Sequence, residues 1–322
     1  MKKTVSLLAI LSCLPYLVAA TAQGPATPSA RTIPTRVGVL LLAHGGSALE
    51  WNEEVRHVAD QVDLVMPTEI AFGMATKSSM QAAINRLAAR KVTSIVAVPL
   101  FISSHSSVID SISYLLGSRS REPDDLKMFA SMDHGGSTMT MDHGQMNHDP
   151  VMVNEARTPV SSPAPIHMAP ALDHHHIVAE ILEDRASSIS RDAAHEVVLL
   201  VAHGPVPDRE NKLWLDDMGA LAYQMRQQSH YAGIDYLTLR DDAGDSVRDA
   251  ATSQLREKVE QIARSGNTAL IVPLLLSYGG IEDGLRKRLE GLKYRMPSQA
   301  LLPDKRIVDW VRDAAQSPSS IQ

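Results

Sequence analysis

Hydrophobic and polar positions alternate along the chain in two textures. Near-continuous apolar runs occupy Val37–Ala43, Thr93–Ile102, Glu196–Ala202 and Asn267–Leu276. Such runs read as strands buried on both faces, as in a parallel sheet. Thr68–Met74 and Ile234–Arg240 read as shorter strands. Between the strands, apolar residues recur at helical spacing. Glu50–Val65 carries Trp51, Val55, Val58, Val62 and Val65 on one side, and Ser78–Arg90 carries Met80, Ile84 and Leu87. Val108–Leu116, Ile177–Ser190, Lys212–Gln228, Val247–Arg264 and Glu282–Leu292 complete the helical segments. Strands alternating with helices predict parallel βαβ units and an α/β fold.

The pattern occurs twice. Val37-Gly38-Val39-Leu40-Leu41-Leu42-Ala43-His44-Gly45 returns as Val197-Val198-Leu199-Leu200-Val201-Ala202-His203-Gly204. Val98-Pro99-Leu100-Phe101-Ile102-Ser103 returns as Val272-Pro273-Leu274-Leu275-Leu276-Ser277. Shared phrases in the same order predict an internal duplication, with halves at residues 36–117 and 177–316. A proline within each buried run gives up a ladder hydrogen bond, so it should mark a strand end or bulge. Residues 118–176 break the texture. They are poor in large aliphatics and read as a disordered or weakly ordered insert.

Composition sharpens this picture at three points. Aromatics are only 4% of a chain that is 44% apolar, so the cores are aliphatic. The net charge of −6 argues against nucleic-acid binding. The start, Met1-Lys2-Lys3 and an apolar run to Ala20, reads as a secretory signal peptide over residues 1–22, followed by a Pro-containing linker over 23–35. This predicts an exported, periplasmic protein. The one cysteine, Cys13, lies in the leader within a loose lipobox, so lipid anchoring is the alternative.

The duplicated strand ends carry the candidate chemistry. His44 ends the first run, and His105 follows the later one. In a parallel sheet both belong to the carboxyl-end rim, where open α/β sheets bind ligands. Imidazoles there can hold a divalent metal or accept protons near neutral pH. Each histidine taken alone has a plainer reading as a loop residue. The second half keeps His203 but has Gly279-Gly280 in place of His105; Glu282 or Asp283 there reads either as a replacement carboxylate or as a solvated first helical turn. The insert adds a second signal. Residues 128–176 hold seven of the 13 histidines and seven of the 14 methionines, including His134, Met139, Met141, His143 and His148. Thioether with imidazole suits soft or borderline metals such as copper, nickel and cobalt.

The phrases Leu41-Leu42-Ala43-His44-Gly45-Gly46-Ser47, Trp51-Asn52-Glu53-Glu54-Val55 and Val98-Pro99-Leu100-Phe101-Ile102-Ser103-Ser104-His105 resemble the CbiX-type sirohydrochlorin chelatases. The resemblance covers roughly residues 37–117 and 196–293. It implies two similar α/β halves with parallel sheets facing a central cleft. It also implies a cobaltochelatase-like lyase that inserts cobalt, or in relatives iron or nickel, into a tetrapyrrole without ATP. On this resemblance the metal, as substrate, sits on His44 and His105, which also relay the pyrrole protons, and His203 lines the opposite wall. No phosphate-binding Gly-rich loop with Lys-Ser/Thr occurs in the sequence. Lys77, Arg86 and Arg240 are scattered candidates for the substrate's carboxylates, each with a plainer reading as a surface charge. Two other functions remain open: an exported copper, nickel or cobalt buffer working through the insert, and a tetrapyrrole carrier without chemistry. Oligomeric state is not legible.

Overall fold

The first strand forms where the apolar run predicts it. A computed structural model of the protein describes residues 35–131 and 150–316. The leader, nearly all of the linker, Cys13, His134, Met139, Met141, His143 and His148 lie outside the described residues. The first half runs β1 (Val37–Ala43), α1 (Leu49–Asp63), β2 (Thr68–Phe72), α2 (Lys77–Ala89), β3 (Ser94–Pro99), α3 (Ser107–Leu115), α4 (Leu126–Ser131), α5 (Pro150–Ala156) and β4 (Ile166–Met168). Helix α6 (His176–Ile189) follows β4 and ends the first half, and the second runs β5 (Glu196–Ala202), α7 (Asp208–Gln228), β6 (Gly233–Thr238), α8 (Asp245–Arg264), β7 (Thr268–Leu274), α9 (Ile281–Arg288), β8 (Tyr294–Arg295) and α10 (Lys305–Gln316).

Two four-stranded, all-parallel sheets result, ordered β2-β1-β3-β4 and β6-β5-β7-β8. Their registers correspond. Ala43 pairs with Phe72 as Ala202 pairs with Thr238, and Leu42 faces Pro99 as Val201 faces Pro273. By this register His44 matches His203, and His105 matches Gly279. Pro99 ends β3, as its missing donor predicts. Leu100 N–H bonds to Leu42 on the β1 side, so the Pro99 position faces β4, whose pairing has already stopped at Met168.

Alternate strand residues serve different cores. Val39, Leu41 and Ala43 enter a central core shared by both halves, while Leu40 and Leu42 enter an outer core with α2 and α3. All five are at most 2% exposed, and each of the three leucines contributes about 1.5–3 kcal/mol by burial. The central core is closed by an exchange. Helix α6 packs on α7 and β7 of the second half, and α10 returns to pack on α1, β1 and β3 of the first. Arg312 of α10 donates to the Gln61 carbonyl at 2.7 Å, and Arg185 of α6 donates to the Ala300 carbonyl at 2.7 Å.

The reading of 118–176 as a structureless insert needs correction in its described parts. Residues 118–131 and 150–176 carry α4, α5 and β4, with Leu126, Phe129, Ala164, Ala169 and Leu172 buried. The segment adds the edge strand to the first sheet. Its signal is weak because β4 is three residues long, between Pro165 and Pro170, with the pattern partly buried–exposed–partly buried. The two-residue β8 and helix α10 also escaped the sequence reading.

Candidate metal centre

Both rim histidines leave the carboxyl ends of neighbouring strands, but their surroundings differ. His44 is exposed, and its Nδ1 lies 2.5 Å from the Gly45 carbonyl. A proton on Nδ1 donates to that carbonyl and leaves the Nε2 lone pair free. The turn beyond it is set by Gly45 at φ +80°, with Asn52 of α1 clamping Gly46 through both N–H and C=O. The second half repeats the turn with Gly204 at φ +75° beside Asn211 and Thr238.

The two turns tolerate a side chain differently. A Cβ on Gly204 would lie 2.5 Å from the Thr238 Cβ, whereas one on Gly45 meets nothing nearer than 3.5 Å. Gly45→Ala should therefore cost about 1–2 kcal/mol of left-handed strain. Gly204→Ala should cost roughly 2–4 kcal/mol, the clash adding to the strain. Urea midpoints of the two variants, compared with the parent, measure the difference.

His105 is built into the junction between the halves. Its loop is fixed to the end of β4: Ser104 N–H and Oγ donate to Asp173 at 2.5 and 2.8 Å, and Ser104 Oγ accepts from Ala171 N–H at 2.8 Å. From the other half, Trp214 Nε1 donates to the His105 carbonyl at 2.8 Å. Glu210 of α7 takes the Ser107 N–H, and burial raises its pKa above the usual carboxylate range. Glu210, Trp214 and Asp217 stand at i, i+4 and i+7, one stripe of α7 facing the His105 loop. Asp217 holds His174 Nδ1 at 2.6 Å through one oxygen, while its other oxygen lies 3.8 Å from His105 Nε2. Burial pushes the Asp217 carboxyl up, against the opposing pull of the His174 contact. Asp173, Trp214 and Asp217 were not singled out from the sequence. The helical spacing of Glu210, Trp214 and Asp217 was the available signal for two of them.

The opposite rim is not a second copy of this site. His203 Nε2 lies 3.4 Å from Asp242 of its own half. At the place matching His105, a Cβ on Gly279 already comes within 3.3 Å of the Trp51 ring, and Gly280 has φ +118°. Trp51 of the first half thus takes up the volume an imidazole would need. Glu282 is not a solvated first-turn residue. It is 9% exposed, and its Oε2 accepts from Gly279 and Gly280 N–H at 3.0 Å each. Asp283 is the solvated member of the pair, bonded to Arg286. A cavity of about 560 Å³ opens here, with Glu50 and Glu54 on one wall and Asp283 on the other.

The cationic candidates are engaged elsewhere. Lys77 Nζ bonds the Glu155 carbonyl and Thr158, Arg86 pairs with Glu69, and Arg240 pairs with Asp208 and the Pro205 carbonyl. The insert histidines in the described residues also have local roles: His167 is exposed on β4, and His175 caps α6 and packs against His176. Among the described residues, no three His, Cys, Asp or Glu side chains are grouped to hold a metal on their own. No described helix is long and apolar enough to cross a membrane.

Comparison with curated protein sequences returns no match. Solved structures that share the fold include two sirohydrochlorin chelatases. The sirohydrochlorin chelatase SirB from Bacillus subtilis subspecies spizizenii, in complex with cobalt, matches at TM-score 0.54 and 13% identity, over 89% of this chain and 98% of that one. SirB from Bacillus subtilis with Fe3+ matches at TM-score 0.56 and 14% identity, over 89% and 96%. The CbiX family model matches residues 38–189, which span β1, both rim histidines of the first half, and β4 through α6. Residues 38–189 thus match the CbiX family model, on a chelatase fold that continues through the second half of the chain.

Proposed function

We propose that this protein is an exported chelatase that inserts a divalent metal into sirohydrochlorin or a related tetrapyrrole without nucleotide, with cobalt the first candidate and nickel or iron behind it. The observation that carries the reading is the pair of imidazoles at the carboxyl ends of adjacent parallel strands in a CbiX-type segment. Insertion requires the ion to shed water and the macrocycle to lose two pyrrole protons. Neutral imidazole is suited to both tasks, as a borderline ligand and as a base near neutral pH. The two relatives of the same fold bear cobalt and Fe3+, which supports a divalent or trivalent first-row ion as substrate. Export rests on the leader-like residues 1–22.

The acidic cavity between α1 and the Gly279 loop favours cations over a macrocycle fringed with carboxylates. In this reading it gathers the ion, and the macrocycle is met at the His44–His105 rim.

The test is an absorbance assay of sirohydrochlorin with Co(II), Ni(II) or Fe(II). Conversion faster than the protein-free blank, and unchanged by added ATP, is expected. Pigment bound with no conversion would turn the assignment to a carrier. Metal uptake that disappears on deleting residues 132–149, which hold His134, Met139, Met141, His143 and His148 and leave β4 and the Asp173 anchor in place, with neither pigment binding nor conversion, would turn it to a metal buffer.

A further inference from the structure

The polar stripe of α7 leaves one atom unused. Glu210 takes a backbone N–H and Trp214 donates to a carbonyl, so both are satisfied against the His105 loop. Asp217 is 14% exposed; one of its oxygens is bonded to His174, while the other, Oδ2, is buried with no hydrogen-bond partner. A buried carboxylate oxygen left unpaired is costly. The atom it faces is His105 Nε2, at 3.8 Å, too far for a hydrogen bond.

We infer that Asp217 is a ligand for the substrate ion, which sits between Asp217 Oδ2 and His105 Nε2. This rests on the reading of His105 as a metal-holding residue and extends it across the junction between the halves. A first-row ion binds imidazole nitrogen and carboxylate oxygen at about 2.0–2.2 Å, so two such ligands stand roughly 3.4 Å apart at tetrahedral angles. The observed gap is a few tenths of an ångström wider, which a small rotation of the 39%-exposed His105 closes. His174 then acts as the outer partner that fixes the carboxylate, the usual arrangement around a metal ligand. Gln224 holds the His174 carbonyl at 2.9 Å, so the same helix positions both. The open positions accept water first and pyrrole nitrogens afterwards.

The experiment is Co(II) titration of the full chain by calorimetry and visible ligand-field absorption, in the parent, Asp217→Asn, Asp217→Glu, His105→Ala and the Asp217→Asn/His105→Ala double variant. Asp217→Asn and His105→Ala should each weaken one class of Co(II) site about tenfold to hundredfold. The double variant should lose little more than either single one, because both side chains hold one ion. Asp217→Glu keeps the charge and should bind within about threefold of the parent. Parent-like binding by Asp217→Asn, alongside loss in His105→Ala, would overturn the inference and leave the chelatase reading standing. Additive losses in the double variant would also overturn it. Equal losses in the Asn and Glu variants with a lowered thermal midpoint would reduce Asp217 to a structural role. No loss of Co(II) binding or of insertion in His105→Ala would remove the reading on which it rests.

Discussion

His105→Ala should lower the initial rate of metal insertion by about a hundredfold or more while leaving the thermal midpoint within a few degrees of the parent. On the proposed function the loss removes both a ligand and a base at the reacting centre, and general-base groups alone contribute about 10²–10⁴. The small stability change follows from the side chain's 39% exposure and from the loop's anchors, Asp173 and Trp214, which act through Ser104 and the His105 backbone rather than the imidazole. His44→Ala should behave alike, because its ring is exposed and holds only its own loop's carbonyl. His203→Ala is the control from the opposite rim. Its ring is placed against Asp242, and no second imidazole stands at Gly279, so the rate should stay within about threefold of the parent. Absorbance-monitored initial rates and melting curves on the same preparations separate these outcomes. A His203→Ala loss as large as that of His105→Ala would shift the centre to the other half.

Glu196→Ala should cost about 3–5 kcal/mol of stability, or roughly 6–15 °C in midpoint, although it lies far from the rim. Glu196 opens β5 and is 1% exposed. Its carboxylate accepts from Ser190 Oγ at 2.5 Å and from the N–H groups of Arg191 and Asp192 at 2.9 and 3.1 Å, and it pairs with Arg295 of β8. Removing it strands Arg295 and two backbone donors where α6 joins the second sheet. Burial by itself would raise its pKa. The Ser190, Arg191, Asp192 and Arg295 contacts outweigh burial and bring it from 4.5 down to about 2. A lowered native value means the contribution is full above pH 4.5 and is lost as pH falls through 2. The parent should thus lose about 3 kcal/mol across that window, and Glu196→Gln should lack this component. Glu183, pushed up to about 6 by burial, titrates above the window and does not confuse it. Urea midpoints of the two proteins from pH 5 to pH 2 make the comparison.

Most strands and helices were legible because they obey one rule each. The bounds of β1 and β5 agree with the apolar runs, since a strand buried on both faces has no polar alternative to weigh. The helices α1, α2 and α8 follow from apolar spacing and shift by only one or two residues. β4 was not legible because its burial is supplied by β3 and α3 rather than by its own sequence, and the surrounding prolines and histidines pointed to disorder. The site was half legible. His44 and His105 stand at strand ends and announce themselves by position. Asp173, Trp214 and Asp217 matter only because distant elements meet them; the helical spacing of Trp214 and Asp217 marks one face of α7 but not the partner it meets. Gly279 was legible as a missing histidine, but the reason, Trp51 packed into that volume, belongs to tertiary structure.

The helix exchange has a consequence for how the protein is made. During synthesis β1 to β4 leave the ribosome long before residues 305–316, yet the inner side of that first sheet is finished only by α10. The nascent first half therefore waits with greasy surface showing until the last helix has been made. Trimming a dozen residues near the carboxyl end would wound the opposite end of the gene product, and a chaperone that shields bare β-sheet should find its longest engagement with the earliest-made portion.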